Sequence, residues 1–282
     1  MVHSICNDSL SVSVKSLGAE LTSVKSNVTG YEYLWQGDPE IWYGQSPVLF
    51  PIVGRLLDNR YRVNGTEYSM PKHGLFRKRE AVLAYRDAQT LIFMQEQDGE
   101  TLKQYPYKFR VYVRFTLSGA RLIVNHRVVN TNETDMYFSL GAHPAFNLTI
   151  GDKLRFSRRE TLFTERIDTD AYRMPGRLPV LEDSDELTVT EHIFDNDALI
   201  MKDVRSEKIT LRNSDGRTVD FYTGNPPYLG IWAKPGAPYV CIEPWWGVND
   251  DRIKRDDFSQ KDEIIRLAPQ SDWNACWYAD FS

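Results

Sequence analysis

Cysteine is scarce in this chain: three in 282 residues, Cys6, Cys241 and Cys276, odd in number and far apart. They build neither a disulfide framework nor a zinc-type Cys-x-x-Cys pair, and a reduced, cytoplasmic setting is the simplest reading. Charge of one sign is also missing. Lys and Arg total 34 against 39 Asp and Glu, a formal net charge of −5. With no basic block, nothing favours nucleic acid or an anionic membrane surface. No apolar run approaches the ~20 residues of a membrane span. The first residues, Met1-Val2-His3-Ser4-Ile5-Cys6, lack a basic stretch followed by an apolar core, so no signal peptide is expected. Long helical periodicity is absent too: no segment of ~12 or more residues repeats its apolar positions convincingly at 3.6. Nor is there a Pro/Gly/Ser linker or an internal repeat. The length suits one large all-β domain, and a single domain over 1–282 is expected.

What is present is a succession of short strand signals. Leu10-Ser11-Val12-Ser13-Val14 alternates with period two, Gly18 interrupts, and Leu21 to Val24 resumes. Tyr31 to Trp35 is short, aromatic and strand-like, and Pro39 to Gln45 is compatible with a single helical turn. Arg60 to Met70 reads as a hairpin around Asn64-Gly65, since both positions of a two-residue loop favour residues that tolerate positive φ. Strand signals then follow at 81–85, 90–95, 109–117 and 121–129, with Ser118-Gly119-Ala120 turning between the last two. Residues 150–197, broken by Pro175, Gly176 and Pro179, predict long connections with short strands. Further strands are expected at 198–201, 208–212, 218–222, 229–233, 239–242, 263–267 and 273–278. Many short strands, frequent turns and no long helix give an all-β sandwich.

Two stretches carry chemistry. In Met136 to His143, alternation puts Met136, Phe138, Leu140 and Ala142 on one face and Tyr137, Ser139, Gly141 and His143 on the other. In Tyr239 to Glu243, Val240 and Ile242 form the apolar face, and Glu243 lies opposite with Tyr239. Each ends in a titratable side chain on the face away from the core, followed by Pro144 or Pro244. That layout suits an acid and a base reaching into one pocket. The bland alternatives are a hydrogen-bonded structural histidine and a salt-bridged surface carboxylate. His3, His126 and His192 have no supporting context, and Cys241 reads as a small buried thiol.

Phe50-Pro51-Ile52-Val53-Gly54-Arg55, Lys72-His73-Gly74, Gly141-Ala142-His143-Pro144 and Glu243-Pro244-Trp245 occur in this order. The set resembles the aldose 1-epimerase (mutarotase) family, in particular its compact bacterial branch. Leu17-Gly18-Ala19-Glu20-Leu21 and Tyr33-Leu34-Trp35-Gln36-Gly37 are similar to that branch as well, so the likeness covers nearly the whole chain. It implies a galactose-mutarotase-like β-supersandwich with few short helices, a sugar on its concave face, and catalysis without metal or cofactor. It implies His143 as general acid toward the ring oxygen and Glu243 as general base toward the C1 hydroxyl. His73 and Arg55 would hold the ring oxygen and neighbouring hydroxyls, and Asp197, with Asp195 as the alternative, would hold further hydroxyls. Trp232, Trp245 and Trp246 are candidate platforms for the C–H face of a pyranose. Galactose mutarotases have Asn beside the catalytic His where this chain has Ala142, a departure that argues against galactose specificity.

The expected partner is therefore a small-molecule sugar, with the protein a monomer or homodimer. Other functions stay open at this level. His73, His143 and a carboxylate could form a metal site, although no compact ligand spacing supports one, and the fold could bind sugar without turning it over. A phosphorylated sugar would call for clustered cations. Lys72, Arg77, Lys78 and Arg79 form such a cluster in sequence, and Lys234 is a stray candidate, yet a charge run is usually a solvated face. A free aldose is favoured.

Overall fold

The computed structural model describes Met1–Ser282. Its construction follows from alternation. In Phe109–Ser118, Val111, Val113, Phe115 and Leu117 are buried while Arg110 and Arg114 are exposed. The strand pairs with Arg121–Asn130 in unbroken antiparallel register from Ser118↔Arg121 to Phe109↔Asn130. Each aliphatic or aromatic side chain so buried contributes roughly 1.5–3 kcal/mol, and a one-residue slip would expose the whole row.

A single sheet of 15 strands dominates. Thirteen of them run in the order Val48–Leu49, Leu140–Ala142, Tyr239–Trp246, Tyr228–Trp232, Leu199–Lys202, Lys153–Ile167, Lys208–Arg212, Thr218–Tyr222, Asp272–Phe281, Arg121–Asn130, Phe109–Ser118, Thr90–Glu96, Val82–Arg86, and the other two branch from it, Ala145–Asn147 on Tyr239–Trp246 and Arg173–Thr188 on Lys153–Ile167. Twist accumulates from strand to strand, so an open sheet of this size curls rather than staying flat. A three-stranded sheet (Val2–Cys6, Leu10–Lys15, Glu20–Ser26) and two small ribbons complete the β structure. One continuous core of 63 buried residues reaches from Ile5 to Phe281, tying both ends of the chain into one packing unit. Helix is limited to three short 3₁₀ turns and Gly99–Gln104, capped by the reciprocal Asp98 and Thr101 hydrogen bonds. No helix is long and apolar enough to cross a membrane. This is the all-β architecture with few short helices that the strand signals imply.

Local expectations mostly hold. Asn64 and Gly65 have φ of 50° and 79° and join Arg60–Val63 to Thr66–Ser69. The Asp38 carbonyl accepts from the Ile41 and Trp42 amides, closing one turn within 39–45. The stretch 150–197 is a correction. Rather than loose connections it forms a long hairpin, Lys153–Ile167 with Arg173–Thr188, interrupted by register shifts. Pro175, Gly176 and Pro179 are tolerated because Arg173–Thr188 is an edge strand, paired beyond a single bridge from Arg173 to Asp251 only with its hairpin partner. The Glu243 strand also runs further than expected, through Pro244 to Trp246.

Gly74 illustrates how tightly the loops are fixed. Its φ is +75°, and a Cβ there would lie 2.2 Å from the Phe50 carbonyl oxygen, which accepts from the Leu75 and Phe76 amides. Gly119 shares the left-handed backbone, with nothing within 4 Å of a Cβ. Gly119→Ala is expected to cost about 1–2 kcal/mol, the intrinsic penalty of that conformation, and Gly74→Ala clearly more. Urea unfolding of both variants checks this; equal losses would mean the Phe50–Gly74 contact yields freely.

Candidate active site

Strand register builds the centre of the site. Leu140–Ala142 and Ala145–Asn147 both pair with Tyr239–Trp246, through Gly141↔Trp245 on one side of a break and Ala145↔Cys241 on the other. Both pairs follow one antiparallel register, so continuing it across the break sets His143 opposite Glu243. The two residues are cross-strand neighbours on one face, and His143 Nε2 lies 3.2 Å from Glu243 Oε2. Pro144 occupies the break, and its carbonyl accepts from the Ile242 amide at 3.2 Å.

Glycines make room for the group that holds the carboxylate. Gly141 and Gly230 stand on either side of Tyr239–Trp246, and a Cβ on either would come within 3.0 Å of the Trp245 ring. The indole fits between them, and its Nε1 donates to Glu243 Oε2 at 3.1 Å. His143 is held by stacking on Trp42, with centroids 5.1 Å apart, and by the edge of Trp232 at 5.7 Å.

These residues open into a cleft of about 170 Å³. A cavity of ~150 Å³ accommodates benzene, so there is room for one six-membered ring. Its wall includes His143, Glu243, His73, Asp197 and Trp232, five of the six site residues expected from sequence. His73 is buried, with φ of +65°. Its Nδ1 accepts from the Gly54 amide at 3.2 Å, which leaves the ring proton on Nε2. Asp197 is the aspartate on the wall; Asp195 is exposed and paired with His192. Of the other tryptophans weighed, Trp245 lines the cleft and Trp246 does not.

Arg55 is the exception. Gly54 turns the backbone with φ of +70° and itself lines the cleft. The Arg55 guanidinium lies outside the wall and donates from Nη1 to the Asp170 carbonyl at 3.0 Å. It fastens the tip of the long hairpin, whose Ala171 does reach the cleft. The cations on the wall are Lys72 and Arg77 instead.

Trp42 and Asn249 were not anticipated. Trp42 lies in a loop, Ile41-Trp42-Tyr43-Gly44, where a Gly44 Cβ would sit 2.5 Å from its ring. An aromatic pair beside glycine was the available signal. Asn249 donates from Nδ2 to the Ala171 carbonyl at 2.7 Å, while its Oδ1 is buried without a partner. Two roomier grooves, of about 580 and 840 Å³, lie elsewhere. They lack an acid–base pair, and much of their charge is spent in ion pairs such as Lys261–Asp250, Arg60–Glu67 and Arg255–Asp251.

Burial governs the electrostatics. Glu243 is 1% exposed, and desolvation pushes its carboxyl well above the usual range, against the Trp245 hydrogen bond and the Lys72 charge. Desolvation brings His143 down to about 3, with the Lys72 and Arg77 charges acting in the same direction. His73 is likewise lowered well below its ordinary value by burial, then by Lys72. Cys241, His143 and Glu243 bring potential metal-ligand atoms within 4.8 Å of one another. Burial pushes the Cys241 thiol up, and Lys72 places a positive charge near His143 and Glu243. Both effects oppose a divalent cation.

Comparison with known proteins bears on this geometry. The family model for aldose 1-epimerase matches residues 1–256. The chain belongs to the aldose 1-epimerase family. It is 33% identical to the chromosomal protein LacX of Lactococcus lactis, over 95% of each chain. It is 25% identical to the galactose mutarotase of Mus musculus, over 84% of this chain and 82% of that one. Among solved structures, a galactose mutarotase related enzyme from Lactobacillus acidophilus superimposes with a TM-score of 0.95 at 32% identity, covering 100% of this chain and 97% of the other. The fold is thus galactose-mutarotase-like, and the epimerase family's architecture surrounds the His143–Glu243 pair.

The two shifts have opposite consequences for stability. Glu243 is raised in the fold, so between about pH 4.5 and its folded value the unfolded chain holds fewer protons, and stability falls as pH rises. His143 is lowered, so from about pH 3 to 6.5 the unfolded chain holds more protons, and stability rises with pH. Glu243→Gln should therefore be more stable than the parent at pH 8, by a margin that shrinks toward pH 4.5. Urea midpoints across this range measure it; a constant or negative margin would show that Lys72 and Trp245 outweigh desolvation.

Proposed function

We propose that the protein is an aldose 1-epimerase that interconverts the α and β anomers of an aldose by general acid–base ring opening. The observation that carries the reading is the 3.2 Å contact between the buried His143 and Glu243 side chains on the wall of the cleft. The reaction takes a proton from the C1 hydroxyl and gives one to the ring oxygen. Both oxygens are bonded to C1, so the acid and the base must be neighbours, as this pair is.

Glu243 accepts the hydroxyl proton while His143 protonates the ring oxygen, and the C1–ring-oxygen bond breaks to give the open aldehyde. Rotation about C1–C2 presents the other carbonyl face. Ring closure then runs with the roles exchanged, and the pair ends with the protons it began with. No redox partner is required. Burial pushes the carboxyl up and the imidazole down to about 3, which reverses their ordinary order of proton affinity, so the proton the pair shares rests on Glu243 and crosses the 3.2 Å contact to His143 before ring opening. His73 Nε2–H offers a donor to a sugar oxygen, Asp197 an acceptor for a hydroxyl, and Trp42 and Trp232 apolar surface for the ring's C–H face.

Polarimetry on freshly dissolved α-D-glucose and α-D-galactose tests the proposal. The parent should speed the approach to anomeric equilibrium, and His143→Ala and Glu243→Gln should each lose about 10²–10⁴-fold in kcat while remaining folded. Variants that keep most of the parent rate would remove the pair from the chemistry.

A further inference from the structure

We propose that the aldose taken by this site carries a phosphate on the exocyclic carbon next to the ring oxygen, held at the cleft mouth by Lys72 and Arg77. The inference rests on the epimerase reading above and names its substrate class.

Of the four clustered cations, two turn away: Lys78 is exposed, and Arg79 pairs with Asp98. Lys72 and Arg77 line the cleft, and neither has a carboxylate within 4.0 Å. The chain's net charge is −5, so two unpaired cations side by side are not a general basicity. Both are half-buried, which leaves them at the mouth, where an anion need not shed all its water. The position of Arg77 is fixed. Arg77 Nη2 donates to the Lys72 carbonyl at 3.1 Å, while its Nε is buried with no partner. The backbone of Arg77 is packed against Gly18, where a Cβ would come within 2.8 Å. A planar guanidinium beside an ammonium suits a phosphate monoester dianion in charge and donor geometry.

The cleft is also polarised along the axis the reaction defines. Lys72 and Arg77 both act by charge on the two imidazoles, whereas Glu243 feels Lys72 and the opposing carboxylate Asp197. These four, Lys72, Arg77, Asp197 and Glu243, are the Lys, Arg, Asp and Glu side chains of the wall. In a pyranose the ring oxygen is bonded to C5, which carries the exocyclic carbon, while the hydroxyl on C1 is flanked by that on C2. A sugar with its ring oxygen at His143 and its C1 hydroxyl at Glu243 points the exocyclic carbon to the cationic side and the C2 hydroxyl toward Asp197. The phosphate takes no part in bond making or breaking; it anchors the ring.

The test compares anomerisation rates by NMR exchange spectroscopy for D-glucose, D-glucose 6-phosphate and D-glucuronate. The parent should favour glucose 6-phosphate over glucose in kcat/KM by ~10-fold or more, a difference of about 1.4 kcal/mol. Lys72→Met and Arg77→Met should each shrink that ratio, and Arg77→Lys should retain most of it. A ratio near one, a ratio unchanged in both Met variants, or a preference for glucuronate would overturn the phosphate assignment. Calorimetry with 1,5-anhydroglucitol 6-phosphate, which has no anomeric hydroxyl, separates the two readings. Binding to the parent but not to the double Met variant supports the phosphate site even if no sugar is turned over. Turnover of glucose without such binding overturns the phosphate site and leaves the epimerase reading standing.

Discussion

The structure depends on one buried polar contact, His143 against Glu243, set by strand register with the carboxyl at 1% exposure. Burying an ionised carboxylate is costly unless a partner and hydrogen bonds answer it. Here the answer is local: an imidazole at 3.2 Å and an indole N–H at 3.1 Å. Removing either partner would leave the carboxyl with the other alone. The sheet supplies the distance without requiring any loop to be ordered, because directly opposed residues of an antiparallel pair have their Cβ atoms only about 4.5–5.5 Å apart.

Everything around the pair serves that placement. Gly141 and Gly230 give up side chains so that Trp245 can lie across the sheet. Trp42 and Trp232 fix the imidazole plane. On the opposite wall, His73 and Gly54 exchange hydrogen bonds, the His73 amide to the Gly54 carbonyl at 2.7 Å and the Gly54 amide to His73 Nδ1 at 3.2 Å. That reciprocal pair settles the tautomer and aims one donor inward. Arg55 and Asn249 reach the hairpin tip rather than the centre, donating to the Asp170 and Ala171 carbonyls. The cleft therefore has a floor built from sheet and a rim stitched by side chains.

The floor was legible in the sequence and the rim was not. Alternation exposes which residues share a strand face, so Glu243 with Tyr239 and His143 with Gly141 could be separated from the core face by inspection. The break at His143-Pro144 was legible as well, since proline cannot complete a ladder. That the two strands pair in the one register setting these residues opposite each other is a non-local fact, which only the fold or a family likeness provides. The rim depends on loops. Arg55 stands one residue from a cleft-lining glycine, yet a left-handed turn at Gly54 sends it elsewhere. Lys72 and Arg77 stand in a charge run that usually means solvent, and a His73–Gly74 turn with both φ positive brings them to the mouth. The hairpin of 153–188 was hidden for a related reason. Its prolines and glycine mimic a loop until one knows that past Arg173 the strand pairs with its hairpin partner alone.

The break in the strand at Pro144 has a physical logic of its own. A continuous ladder through residues 140–147 would commit the backbone at the His143 position to regular pairing with its neighbour on each side. In the fold the segment keeps Tyr239–Trp246 as its neighbour on one side of the break and the other, while on its outer side it pairs with Val48–Leu49 up to Ala142 and bridges Leu34 at Phe146, so only the outer neighbour changes at His143. The break leaves the imidazole tied to the sheet on both sides while freeing the space beyond it, where Trp42 stacks and the cleft opens. A carboxyl on an uninterrupted strand and an imidazole at an interruption is an arrangement in which both groups are fixed and only one side remains open. The direction of approach is therefore decided by the backbone before any substrate-binding side chain contributes. This explains how Ala142, packed in the core at 2% exposure, can stand next to His143 without adding a polar side chain to the cleft.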